Sequence, residues 1–183
     1  MHSINGTNTK REHSDLWRTP KDIFIYLNAI YNFNLDGYAN EEDTLCKNFI
    51  GKSDDANTVN WSDYVDNDPV VAFCNPPYSQ PNIQLCLRSA IIEARKGATI
   101  VVLIPNQPTK YWADLVIGQA DRVLLTLGRI SFVDPVTLQP RSGNAGGSAI
   151  ITYLPRSRRT RHISTATSYI LVEDMVESTI HDD

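Results

Sequence analysis

Cysteine and positive charge are both in short supply in this chain of 183 residues. Its 3 cysteines, Cys46, Cys74 and Cys86, are odd in number and show no paired metal-ligand spacing, which argues against a disulfide framework and a zinc site. The expected setting is a reducing cytoplasm. Lys and Arg number 17 against 21 Asp and Glu, so the net charge is -4, the wrong sign for a protein that simply coats nucleic acid. No apolar run approaches the length of a membrane span, and the opening residues 1–10 are polar, so neither a spanning helix nor an export signal is expected. The length suits one domain with a sizeable core.

What charge there is lies unevenly. Arg156, Arg158, Arg159, Arg161 and His162 form one basic run, while acids crowd residues 36–68 and the end from Glu173 to Asp183. A transient enzyme needs only a local basic surface, and this run is a candidate for phosphate contact.

The most informative stretch is Asn75-Pro76-Pro77-Tyr78, which ends the apolar run from Val70 to Cys74 in a rigid, acceptor-rich turn. Such a turn suits chemistry on the amino group of a nucleobase. An exocyclic amine is a poor nucleophile because its lone pair is delocalised into the ring, and two acceptors aimed at its two hydrogens would draw the nitrogen toward tetrahedral geometry. The Asn75 amide oxygen supplies one acceptor. The Pro76 carbonyl supplies the other, since a proline before a proline is held extended with no N–H of its own. Tyr78 adds a face on which an extruded base can stack. Cys74 lies inside the apolar run, where a free cysteine behaves as a small hydrophobe, and no covalent base adduct is required.

Apolar periodicity alternates between helix and strand, which predicts an α/β domain with a largely parallel sheet. Thr19-Pro20 reads as an N-cap with proline at the first helical position, followed by the face Ile23, Phe24, Leu27, Ile30 and Tyr31. Residues 33–36 form a short strand pattern, and residues 37–68 read mainly as loop with one short helix. Residues 70–74 form a buried strand, so the Pro-Pro motif sits at a strand's C-terminal end, where crevices form in open α/β sheets. Ile83, Leu87, Ala90, Ile91 and Ala94 then fall at helical spacing, with Gly97 as a stop. A strand over 98–104, a helix over 111–119 and three strands over 122–127, 130–133 and 148–154 follow, with 134–147 as a long loop. Beyond Pro155 the composition shifts, and residues 169–172 read as either a strand or a partner-binding segment.

Several landmarks in order resemble the compact phage-encoded DNA N6-adenine methyltransferases of the Dam type, among the Asn-Pro-Pro-Tyr amino-methyltransferases. They are Trp17-Arg18-Thr19-Pro20, Leu35-Asp36 followed by Ala39, Trp61, the motif with Ser79, Leu103-Ile104-Pro105, Gly128-Arg129-Ile130-Ser131-Phe132, and Gly147-Ser148 before a last strand. The likeness covers residues 14–155 and implies a Rossmann-like class I fold, with a mostly parallel sheet and a closing antiparallel strand pair. Residues 1–13 are expected to be disordered, and residues 156–183 to form a basic, then acidic, C-terminal tail.

The resemblance implies S-adenosyl-L-methionine as methyl donor, with no metal. Asp36, ending a strand, would meet the cofactor's ammonium or a bound water. Asp55 would contact the adenosine moiety, and Trp17, Thr19 and Pro20 would wall the pocket. A glycine-rich turn is common after the first strand of such enzymes. Here Gly37 stands alone, with Ala39 as the other small residue allowing close approach. The partner implied is double-stranded DNA, read through Arg129, Arg141 and Asn144 and gripped through Arg156, Arg158 and Arg159, with GATC-like sites as the default.

The reaction expected is methylation of a flipped adenine in the cytoplasm of a host cell, with protection from host restriction as its purpose. Cytosine-N4 methylation uses the same amine logic, although Asn at the first motif position resembles the adenine enzymes. RNA bases and protein glutamine amides are further acceptors of related enzymes. The single-glycine turn and acidic charge also leave room for a catalytically silent DNA- or protein-binding module on the same fold. Oligomeric state is not legible in the residues.

Overall fold

A computed structural model describes residues 15–66, 69–142, 146–156 and 165–179. In chain order they form α1 (Lys21–Tyr31), β1 (Leu35–Asp36), a 3-10 turn (Trp61–Tyr64), β2 (Val71–Cys74), α2 (Asn82–Lys96), β3 (Thr99–Pro105), α3 (Lys110–Leu115), β4 (Arg122–Leu127), β5 (Ser131–Val133), β6 (Pro140–Ser142), β7 (Ser148–Tyr153), β8 (Ala166–Leu171) and α4 (Val172–Glu177). A 6-stranded sheet has the order β1-β2-β3-β7-β4-β8, and β5 and β6 form a separate antiparallel ribbon. Within the large sheet only β7 runs against its neighbours, pairing antiparallel with both β3 and β4. The sheet is thus mostly parallel, as expected, with its antiparallel element at β7.

Burial follows the two-residue period of the strands. Ala72, Cys74, Ile100, Val102 and Ile104 face α2, where they pack with Leu87, Ala90 and Trp61. Phe73, Val101, Leu103 and Ile150 face α1, packing with Ile23, Phe24 and Leu27. Both faces are covered, which explains why the central strands are continuously apolar. Gly97, at φ +113°, terminates α2 as its position requires, with its N–H on Ala94 and Glu93 carbonyls.

Several boundaries differ from expectation for local reasons. Helix α1 starts at Lys21, with Pro20 at the N-cap position and no side-chain cap from Thr19. The Asp22 carboxylate instead accepts the Ile23 N–H at 2.8 Å. Strand β1 has 2 residues, and the Phe33 N–H ahead of it is taken by the Asn28 side chain at 2.8 Å. Helix α3 stops at Leu115, where the Ile117 N–H doubles back to the Trp112 carbonyl at 2.8 Å. The stretch 134–147, read as a loop, contains β6. Asp134 closes its turn by accepting the N–H groups of Val136 and Thr137 at 2.9 and 3.0 Å.

Residues 169–172 fall where β8 ends and α4 begins, so the strand reading holds for their first part. β8 pairs in parallel with β4, and α4 buries Met175 in the same cluster as Ile23 and Leu27.

Candidate active site

Because β1, β2 and β3 are parallel, their C-terminal ends share one edge of the sheet. Asp36 ends β1, Asn75 follows β2, and Pro105 ends β3. Parallel pairing therefore brings together residues that are far apart in the chain, at the edge where open α/β sheets bind ligands.

Asp36 is only 4% exposed. Its carboxylate accepts the N–H groups of Tyr38 and Leu45 at 3.3 and 3.2 Å. Burial nevertheless outweighs these bonds and pushes its pKa up to about 6. Its main chain exchanges hydrogen bonds with Asn48 and Ile50, which brings the 37–50 loop back against the strand end. Gly37 has no spare room: an added Cβ would come within 2.9 Å of Cys74 Sγ and 3.0 Å of the Trp61 ring. Its smallness therefore serves the seating of Trp61, which is fully buried and donates its indole N–H to the Ala56 carbonyl at 2.8 Å. Ala39 is half-buried in the same loop, with its N–H on the Ile50 carbonyl at 3.4 Å.

Asp55 is exposed at φ +41°, and its carboxylate accepts the N–H and the side-chain Nδ2–H of Asn57 at 3.1 and 2.7 Å. Asn57 in turn accepts the Tyr38 hydroxyl at 2.9 Å, so Asp55 braces the wall of the 37–50 loop through one intermediate, Asn57.

At the motif, Pro76 is buried, while Asn75, Pro77 and Tyr78 are half-buried. The Asn75 amide donates from Nδ2 to the Trp17 carbonyl at 3.4 Å, and its Oδ1 is buried without a hydrogen-bond partner among the described residues. A buried acceptor left unmatched costs about 1–3 kcal/mol, so a donor arriving there would be strongly favoured. The Tyr78 ring meets Phe132 of β5 edge-on, with centroids 5.9 Å apart and planes at 88°. Its hydroxyl is turned into the protein, where burial pushes the pKa upward.

Trp17 lies half-buried against the α1 face of the sheet, with Thr19 buried and Pro20 half-buried beside it. Sequence reasoning assigned no role to Asp15, whose carboxylate accepts the Ser79 N–H at 2.9 Å, nor to Phe132 beneath Tyr78. Phe132 carried a signal as part of an ordered landmark. Asp15 carried none, since it adjoins a stretch that reads as disordered.

The expected DNA contacts separate. Arg129 is exposed just beyond β4, whose C-terminal end lies on the same edge as that of β3. Arg141 lies on β6 and pairs with Asp134 at 3.3 Å. Arg156 is placed differently from expectation. Its side chain is 10% exposed, 3.6 Å from the Asp121 carboxylate, and lies past the end of β7 that pairs with the start of β3. That is the sheet end opposite Asn75, so Arg156 is turned inward and away from the motif. Asn144, Arg158 and Arg159 lie outside the described residues.

A family model described as DNA N-6-adenine-methyltransferase (Dam) matches residues 6–179. The DNA N-6-adenine-methyltransferase of Haemophilus phage HP1 is 28% identical over 177 residues, covering 95% of this chain and 96% of that protein. The protein of the same name from Escherichia phage T1 is 29% identical over 161 residues, covering 79% of this chain and 65% of its own length. A crystal structure described as a class I S-adenosylmethionine-dependent methyltransferase from Listeria monocytogenes overlaps with a TM-score of 0.40 at 14% identity, covering 72% of this chain and 45% of that one. That overlap is too loose to bear on any residue. With nearly its whole length matched by the family model, the chain belongs to the DNA N-6-adenine-methyltransferase (Dam) family.

Proposed function

We propose that this protein methylates the exocyclic amine of adenine in double-stranded DNA, using S-adenosyl-L-methionine. The observation that carries the reading is the buried Asn75 Oδ1 following β2, which has no hydrogen-bond partner among the described residues. A buried acceptor in that position is what an amine needs and what a purely structural turn would avoid.

The cofactor fits the residues present. It is cationic at its sulfonium and its ammonium, and Asp36 is a buried carboxylate on the same sheet edge whose ionisation is disfavoured until a cation arrives. Asp36 would hold it, with Trp17, Thr19, Pro20 and Ala39 along the wall and Asp55 bracing the loop. Bound there, it supplies a methyl group made electrophilic by the adjacent positive sulfur.

The chain's own residues do the rest. Tyr78, held edge-on by Phe132, receives a base swung out of the duplex. Asn75 Oδ1 accepts one amine N–H and the Pro76 carbonyl accepts the other, which localises the nitrogen lone pair. Neither acceptor is a base, so they hold the amine while its surplus proton leaves to water. The relatives from phages HP1 and T1 are named as DNA N-6-adenine-methyltransferases, and shielding of phage DNA from host restriction in the host cytoplasm is the role that goes with this proposal. Among the described residues no helix is long and apolar enough to cross a membrane.

The test is transfer of labelled methyl from S-adenosyl-L-methionine to unmethylated double-stranded DNA, beginning with GATC-containing duplexes, followed by mass analysis of the nucleosides. N6-methyladenine is expected, with single-turnover rates falling about 10²- to 10³-fold in Asn75→Ala, by analogy with loss of one oriented polar contact in other enzymes. N4-methylcytosine as product, or no transfer to DNA despite cofactor binding, would overturn the reading.

A further inference from the structure

Residues 15–18 cross the motif as a strap. The Asp15 carboxylate accepts the Ser79 N–H at 2.9 Å, and the Trp17 carbonyl accepts the Asn75 Nδ2–H at 3.4 Å. Arg18 then exchanges hydrogen bonds with Val133 of β5 at 2.9 and 3.0 Å, which fixes the strap's far end.

We propose that this strap sets the direction of the Asn75 amide, with Trp17 and Asp15 as positioning residues for the amine acceptor, an inference that rests on the adenine-amine reading above. A side-chain amide has a donor end and an acceptor end, and a half-turn exchanges them. Turned the wrong way, Asn75 would set its oxygen against the Trp17 carbonyl, acceptor to acceptor. It would also present its NH₂ to the substrate amine, donor to donor. The Trp17 carbonyl rejects that state, and so leaves Oδ1 as the free end. Asp15, by holding Ser79, keeps the other end of the motif docked to the same strap. The strap thereby also discriminates between side chains at position 75. An ionised aspartate would face the Trp17 carbonyl with a negative oxygen, whereas a protonated one would donate its O–H to that carbonyl and offer its C=O to the amine.

This discrimination gives a readout that a merely structural strap would not move. In Asn75→Asp, activity should require the protonated carboxyl, so its rate should rise as pH falls. Titratable groups on the elements around position 75 are Asp15 and Arg18 on the strap, Asp36 at the end of β1, Cys74 in β2, and Tyr78 in the motif. The wild type carries all of them, so the ratio of Asn75→Asp to wild-type rates at each pH cancels their effects to first order.

The experiment measures single-turnover methyl transfer to duplex DNA from pH 8 down to pH 6, with cofactor affinity followed by calorimetry. The expected ratio climbs about tenfold per pH unit, following the protonated fraction of a carboxyl. Asp15→Ala should lower the turnover rate about 10- to 100-fold with cofactor affinity retained, the scale of a small misplacement of a reacting group. Asp15→Asn should recover most of that loss, because its amide oxygen still accepts the Ser79 N–H. A ratio flat with pH, or an Asp15→Ala rate within twofold of wild type, would overturn the strap's role while leaving the function intact. A wild type that transfers no methyl to DNA would overturn both.

Discussion

Tyr78 and Phe132 meet as an edge-to-face pair, with centroids 5.9 Å apart and planes at 88°. One belongs to the Pro-Pro motif at the end of β2, and the other to the β5-β6 ribbon that stands outside the main sheet. The ribbon therefore sets the attitude of the ring on which an extruded base would stack. Phe132 is almost fully buried, so the pair is a fixed contact of the core.

Truncation of either member should have a distinct signature. Phe132→Leu keeps an apolar filler and is expected to cost about 1–2 kcal/mol in stability through imperfect repacking. It should also weaken capture of the base by letting Tyr78 tilt. Tyr78→Ala should weaken base capture by about 1–3 kcal/mol, as for other base-aromatic stacks. Denaturant unfolding and binding of a duplex whose target adenine is mispaired separate the two effects.

Asp36 makes the free protein sensitive to pH. Its pKa in the fold, about 6, stands above the ordinary aspartate value of 3.8, so between these values the folded protein holds a proton that the unfolded chain has released. Stability contributed by this group is then present in acid and is lost as pH rises through that window, an effect on the order of 3 kcal/mol. Above pH 6 the burial cost is fully expressed unless a cation pairs with it. Cofactor affinity should accordingly fall as pH drops below about 6, and Asp36→Asn should bind cofactor weakly at every pH. Calorimetric titration of both proteins from pH 5 to pH 8 checks the direction, and a parallel pH dependence in the two would reject it.

Gly37 is expected to resist even alanine. The added Cβ would lie 2.9 Å from Cys74 Sγ and 3.0 Å from the Trp61 ring, both of them buried. Overpacking of this kind typically costs about 1–3 kcal/mol. A lowered denaturation midpoint in Gly37→Ala, with tryptophan fluorescence shifted as the Trp61 ring moves, is the expected outcome.

The two arginines most distinct in placement should differ in what they do. Arg129 is exposed at the motif edge, so Arg129→Ala should weaken DNA binding and flatten its salt dependence by about one unit of slope. Arg156 is turned inward on Asp121, so Arg156→Ala should lower stability and leave that slope unchanged. DNA affinity measured across a salt series, beside thermal unfolding, tells them apart.

Amino-acid order alone was enough to place β2, β3, β4 and α2 within a residue or two and to set the Asn-Pro-Pro-Tyr turn at a strand end. These signals are local: a strand buried on both faces must be apolar throughout, a helix on one face must repeat at three and four residues, and a proline pair must stop the ladder. Strand β5 was legible as 130–133, but its ribbon partner β6 escaped because it lies in a polar, proline- and serine-containing stretch and is held mainly by β5.

Only the tertiary structure decided which groups are left without partners. The contacts of Asp15 with Ser79 and of Trp17 with Asn75 join residues 64 and 58 positions apart, and no local pattern encodes them. The burial that raises Asp36, the inward turn of Arg156 and the place of β7 between β3 and β4 are likewise set by how the layers close. Periodicity reports what a segment must bury; the closing of the layers determines what it finds there.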